Sequence, residues 1–135
     1  MDDIKLFIQK LNAITGKQYR LPNEAEWEYA CYGGTKTEYC GSSDINEVAW
    51  YKGNSDKTTH PVGQKQANGY GLHDMSGNVW EWQSDCFEGN CSLGPVIRGG
   101  SWKFRANLAR AANRNWIDKS YLGHDYGFRL ARTLP

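Results

Sequence analysis

The stretch Gly71-Leu72-His73-Asp74-Met75-Ser76-Gly77-Asn78-Val79-Trp80-Glu81-Trp82 decides how the rest of the chain reads. Two acids, Asp74 and Glu81, bracket a Gly77-Asn78 turn, and Trp80 and Trp82 follow at alternate positions. A turn of this kind frees backbone carbonyls from any ladder. A hard cation such as calcium takes several oxygens at short range, from carboxylates and from carbonyls aimed inward. Alternation puts Trp80 and Trp82 on one face of a strand, where they can close the site off from water. The plainer reading of the same residues is a turn entering an aromatic-rich strand, with both acids solvated.

Outward from this stretch, length and composition set the limits. The 135 residues are read as one domain, 1–135, long enough to build a core. Only 39% of residues are hydrophobic, but 13% are aromatic, so the core must be built from large rings. Fifteen glycines, with many Asn and Asp residues, point to turns and long loops. A formal charge of +1 gives no electrostatic case for nucleic acid or a membrane surface. The apolar runs are too short to span a bilayer. No signal peptide pattern follows Met1, so the cytoplasm is the default expectation, or else the chain is a piece of something exported. Four cysteines (Cys31, Cys40, Cys86, Cys91) include no Cys-x-x-Cys, and the three histidines are scattered, so structural zinc is not expected. In an oxidising compartment Cys86 and Cys91 can close a small loop; in a reducing one all four stay thiols.

Ile4, Phe7, Ile8, Leu11 and Ile14 lie on one face of a helix that Gly16 ends, and this stripe is expected to be core. Pro22 breaks the chain and Asn23 starts a second helix over Glu24–Ala30, with Glu26 at capping-box spacing. Residues 35–70 are loop-rich, with a short strand expected at Val48-Ala49-Trp50-Tyr51 and a strand edge at His60-Pro61-Val62-Gly63. Further strands are expected at Trp80-Glu81-Trp82, Val96-Ile97-Arg98, Ser101-Trp102 and Gly127-Phe128-Arg129-Leu130-Ala131, the last returning towards the first helices. Gly99-Gly100 marks a bulge or a close backbone approach. Arg98, Arg105, Arg110, Arg114, Arg129 and Arg132 crowd the last third. They read either as an anion pocket or, preferably, as partners of the second-helix glutamates.

Four ordered blocks carry a family resemblance: Arg20-Leu21-Pro22-Asn23-Glu24-Ala25-Glu26-Trp27-Glu28-Tyr29-Ala30, Asn68 through Trp82, Val96-Ile97-Arg98-Gly99-Gly100-Ser101-Trp102 and Gly127–Ala131. Together the chain resembles the formylglycine-generating enzyme (sulfatase-modifying factor) family. That resemblance implies an α+β fold of C-type-lectin-like type, with two helices, short antiparallel strands and long loops. It places calcium ligands on Asp74, Gly77, Val79 and Glu81. It also implies that the copper-binding cysteine pair of the enzymes falls on Ala106 and Ala111, so no copper and no formylglycine chemistry are expected. Cys31 matches a structural cysteine of some relatives whose partner position here is Leu130, which leaves the pairing of Cys31 and Cys40 open.

Gly99 to Arg129, with Arg110-Ala111-Ala112-Asn113-Arg114-Asn115 in its middle, is similar to the variable region of proteins diversified by retroelements. Adenine-directed mutation of an Asn codon reaches Phe, Arg, Ile, Asp, Tyr, Gly and His but not Lys, so Lys103 argues against the simplest version. The resemblance implies a binding face at residues 103–126, on Lys103, Phe104, Arg105, Trp116, Ile117, Asp118, Tyr121, His124, Asp125 and Tyr126. Its partner is expected to be a protein rather than a small molecule, since Tyr, Trp and Arg make good anchors. The competing readings are a diverged enzyme that uses Ser101, His124 or the arginines at the same face, and an accessory domain with only a structural role.

Overall fold

The computed structural model describes all 135 residues. Helix α1 spans Asp2–Thr15 and ends where the sequence places its stop. Gly16 adopts a left-handed conformation and returns its N–H to the Asn12 carbonyl. The apolar stripe of α1, expected to be core, is not: none of its residues is buried, and Ile14 is 84% exposed. Ile4 and Ile8 reach only the edge of a cluster around Trp80 and Trp82. The helix lies on the rim of a loop-built body, so one side of its stripe finds partners and the other does not.

Strand β1, Gln18–Arg20, leads to Pro22 and then to α2, Glu24–Tyr32. The capping box is complete: Asn23 Oδ1 accepts from the Glu26 N–H (2.8 Å), and Glu26 Oε1 accepts from the Asn23 N–H (3.0 Å). Between residues 35 and 79 the expected strands are absent. Val48 instead closes a short helix α3, Ile45–Val48, because Asp44 caps it through the Asn46 N–H. His60-Pro61-Val62-Gly63 forms no strand either. His60 stacks on Trp50 (3.8 Å between ring centres) and exchanges hydrogen bonds with the Asn78 side chain.

The sheet is centred on β2, Trp80–Cys86. β3, Pro95–Arg98, pairs with it antiparallel, and β4, Asn115–Trp116, extends the sheet beyond β3. β5, Tyr126–Gly127, runs parallel to β2 on the other side, giving the order β4-β3-β2-β5. Ser101-Trp102 does not resume β3. Gly99 and Gly100 both turn with positive φ, and a Cβ on Gly99 would sit 2.5 Å from the Met75 carbonyl, the close approach the pair of glycines forecast. The expected final strand is split. Gly127 belongs to β5, while β6, Ala131–Thr133, leaves the main sheet and pairs antiparallel with β1, bringing the C-terminus back to α1 as expected.

The core is three small clusters rather than one large one. They gather around Trp27 with Met75, around Tyr39 with Val48, and around Trp80 with Trp82. Of 57 backbone hydrogen bonds, 28 lie outside regular helices and strands, so loops carry half of the backbone order. Both cysteine pairs are closed, Cys31–Cys40 and Cys86–Cys91, which removes the reading with four thiols. Cys31–Cys40 is buried inside the Trp27 cluster, and Cys86–Cys91 ties off the β2–β3 turn at the surface.

Candidate functional site

The central stretch folds into a tight, buried turn. Asp74 takes a left-handed conformation, as does Asn78. Asp74 Oδ2 accepts from the Gly63 N–H (2.9 Å), while Oδ1 is buried with no partner. Gly77 donates to the Gly99 carbonyl (2.7 Å) and Asn78 to the Trp50 carbonyl (2.8 Å), yet the carbonyls of Gly77 and Val79 accept nothing from the protein. Glu81 is buried at the start of β2. Its Oε2 accepts from Trp27 Nε1 (2.8 Å) and Arg129 Nε (2.8 Å), and its Oε1 accepts from Arg129 Nη2 (2.7 Å). Burial pulls the Arg129 guanidinium down, but Glu81, with help from Asp74, holds it above its ordinary value. Trp80 and Trp82 are both buried, on the shared face their spacing implies.

These positions give a mixed donor set. Asp74, Asn78, Val79, Glu81 and Arg129 line one cleft of about 370 Å³. No group of three or more His, Cys, Asp or Glu side chains converges in the molecule, so any cation here would rest on carbonyls as much as on side chains. Asp74 Oδ1 and the Val79 carbonyl, both at this cleft, have no donor; the Gly77 carbonyl also lacks one, but Gly77 does not line the cleft. At Glu81 the cation would share the carboxylate with Arg129.

The face expected at 103–126 divides in two. Lys103 and Arg105 are exposed, and with Lys52, Phe104, Asn107 and Leu108 they line a shallow cleft of about 390 Å³. Phe104 is half-buried, edge-on to Trp80 (5.9 Å). Further along, Trp116 and Tyr121 stand 40% and 43% exposed, and Asp118 and His124 are exposed beside them. The hydroxyl and N–H of Ser120 hold the Asp118 carboxyl below its usual range. Ile117 and Tyr126 are half-buried against the Trp80–Trp82 cluster. Burial, with the nearby Asp125 charge, pushes the Tyr126 phenol up to about 12. Asp125 is buried, not presented: it accepts from Ser101 Oγ (3.1 Å), and its carbonyl accepts from the Trp80 N–H. A short polar residue among exposed ones gives no sequence sign of this inward turn.

The arginines take the pairing role. Arg98 is fully buried. It donates to Glu24 (2.9 Å), Glu28 (2.7 Å) and the Ala111 carbonyl (2.6 Å), with its guanidinium over the Trp27 ring. Arg114 donates twice to Glu24 (2.7 and 2.9 Å). Burial raises the Glu24 carboxyl, but Arg114 and Arg98 outweigh it and hold the group below its ordinary value. Ala111 is buried in the Trp27 cluster and Ala106 packs against the Tyr39 cluster, so the two alanines fill core space.

Sequence reasoning missed two residues that shape these sites. Asn68 Nδ2 donates to the Ala30 and Cys31 carbonyls, and its Oδ1 accepts from Tyr70 and Leu72, which locks α2 to the central stretch. The Asn68-Gly69-Tyr70-Gly71 turn composition was the available signal. Lys52 lies in an aperiodic loop and joins the 103–105 segment through its N–H to the Phe104 carbonyl (2.9 Å), a contact that no local pattern encodes.

Comparison with known proteins places this geometry. Chaperone protein LppX of Paenibacillus barcinonensis is 38% identical over 98% of this chain and 55% of its own length. Inactive C-alpha-formylglycine-generating enzyme 2 of Bos taurus is 32% identical over 83% of this chain and 43% of its own. Among solved structures, PvdO from Pseudomonas aeruginosa superposes with a TM-score of 0.85 at 32% identity, over 98% of this chain and 59% of PvdO. Treponema denticola variable protein 1 gives 0.76 at 38% identity, over 84% and 47%. The chain thus spans about half the length of the relatives it matches. Residues 1–134 match the sulfatase-modifying factor enzyme 1-like domain. With its α+β, loop-rich architecture of formylglycine-generating-enzyme, C-type-lectin-like type, the chain belongs to the sulfatase-modifying factor family.

Proposed function

We propose that this chain is a non-catalytic binding module whose partner, a protein, docks on the face formed by residues 103–126. The observation that carries this reading is the fate of the reactive positions. Ala106 and Ala111, where the family's enzymes keep a cysteine pair, serve as packing residues, and all four cysteines are tied in two disulfides elsewhere. Ser101, a candidate nucleophile for a diverged enzyme, is buried and spends its hydroxyl on Asp125. The exposed Trp116 and Tyr121 offer the large, stiff contact area that partner surfaces use. Likeness to an inactive relative and to a variable protein supports the same reading. The retroelement version predicts a reverse transcriptase and a near-copy of the last third of this gene beside it, and the genomic neighbourhood tests that.

Calcium belongs to the proposal as a structural ion held by Asp74, Gly77, Val79 and Glu81. It would neutralise the unpartnered Asp74 oxygen and fix the turn beneath β2; its chemistry here is coordination alone. The test pairs two measurements. Photo-crosslinkers at Trp116 and Tyr121 capture a protein partner while one at Lys10 does not, and copper with a cysteine peptide yields no aldehyde. Aldehyde formation would replace the binding reading with an enzymatic one. For calcium, the melting temperature rises with the ion and falls with EDTA, and the unfolding free energy gains about 2.7 kcal/mol at a hundredfold excess over Kd. No shift with either, or the same shift in Asp74→Ala, removes calcium from the account.

A further inference from the structure

The cleft at the start of the 103–126 face has a charge that the fold does not use. Five of the seven arginines, Arg20, Arg98, Arg110, Arg114 and Arg129, are paired with acids. Arg105 is not, and neither are Lys52 and Lys103. These three cations line one cleft, and no carboxylate lines it with them. The floor between them is Phe104 and Leu108, both half-buried, and Asn107 completes the wall.

The cleft is also held in shape. The Lys52 N–H bonds the Phe104 carbonyl (2.9 Å), and Ser55 Oγ donates to the Trp102 carbonyl (2.8 Å), so two loops are fastened across their backbones. Phe104 N–H returns to the Ser101 carbonyl (3.2 Å) and Leu108 N–H to the Arg105 carbonyl (3.1 Å). The three cations project from loops that are already ordered, so a ligand need not order this backbone on binding.

We propose that this cleft is a docking site for an acidic segment of a protein partner, one with aspartate or glutamate on either side of an apolar residue. The inference rests on the reading of the 103–126 face as a partner surface and narrows its chemistry. Charge complementarity sets the sign: three like charges in a cleft without acids attract carboxylates and raise their on-rate. The apolar floor sets the class. A polyphosphate or duplex draws its affinity from many phosphate contacts, which three cations on a chain of net charge +1 cannot supply, and a single strand stacks its bases on open aromatic faces, whereas Phe104 is half-buried and edge-on to Trp80. A peptide with an apolar residue between acids uses both features. Arg105 offers the planar fork that matches a carboxylate, and the two lysines act as point charges.

The experiment uses the intact chain and a fluorescent peptide of aspartate and glutamate around a central leucine, read by fluorescence polarisation. A peptide with asparagine and glutamine in place of the acids is the control, and heparin and single-stranded DNA are the alternative probes. The acidic peptide binds and the amide control does not. Lys103→Glu/Arg105→Glu weakens binding by about tenfold or more, and raising salt from 0.05 to 0.5 M weakens the wild type towards the variant. Lys10→Glu/Lys17→Glu, the same charge reversal at exposed positions away from the face, leaves it within about twofold. No binding of the acidic peptide, binding untouched by the charge reversal, or tighter binding of heparin or DNA overturns the inference. Equal loss in Lys10→Glu/Lys17→Glu also overturns it, since net charge and not the cleft would then set the binding, while leaving the wider face standing as a partner surface. Circular dichroism and the melting temperature of each variant confirm that the fold is intact.

Discussion

Replacing Arg98 with methionine tests how the fold holds its loops. Arg98 is fully buried and joins α2 to the last third of the chain through Glu24, Glu28 and the Ala111 carbonyl. Breaking a buried pair by removing one partner costs about 3–5 kcal/mol when the other charge is stranded. Here the stranding is partial. Glu24 keeps two bonds from Arg114, and the Glu28 side chain, 43% exposed, can turn to water. The Ala111 carbonyl, buried and with no other donor, cannot, and that alone costs about 1–3 kcal/mol. Methionine retains packing over Trp27 and removes the unpartnered Arg98 Nε, which offsets part of the loss. The expected net loss is about 3 kcal/mol, a fall of roughly 10 °C at about 3–5 °C per kcal/mol for this length. Urea unfolding at pH 7, disulfides intact, measures it, with Arg114→Met as the exposed-pair control at about 1 kcal/mol or less. If Arg98→Met costs no more than Arg114→Met, the buried network does not hold the loops as argued.

Three further outcomes follow from the same geometry. The Glu24 carboxyl is held low in the folded protein, so its contribution is complete above its ordinary value near pH 4.5 and lost as pH falls towards the folded one. Urea midpoints should therefore be flat from pH 8 to about pH 5 and drop below, with a shallower drop in Arg114→Met. Mild reductant should open Cys86–Cys91 before Cys31–Cys40, since Cys91 is exposed and Cys31 fully buried; alkylation and mass measurement should show two modified thiols before four. Gly99→Ala places a Cβ 2.5 Å from the Met75 carbonyl at φ 96° and should cost roughly 2–4 kcal/mol by thermal melt, where Gly63→Ala, with open space around it, costs only its backbone strain.

The sequence by itself determined the features that depend on near neighbours. Gly16 sets the end of α1 and the Asn23–Glu26 box the start of α2, because caps are satisfied within one helical turn. The two glycines after Arg98 announced a close approach, and the ordered blocks announced the family. Tertiary structure decided what distant partners control. Val48 became helical because Asp44 caps it, and the final strand split because β2 and β1 each claim a different part of it. The stripe of α1 stayed at the surface, although its periodicity is that of a core helix, because periodicity names a face and not what covers it. At the candidate sites the residue types were legible and their surroundings were not. Arg129 reaches Glu81 across 48 residues, Asp125 turns inward to Ser101, and Lys52 joins Arg105 at one cleft. In a chain where half of the backbone bonds lie in loops, no short-range period carries that information, and only the closed structure sets it.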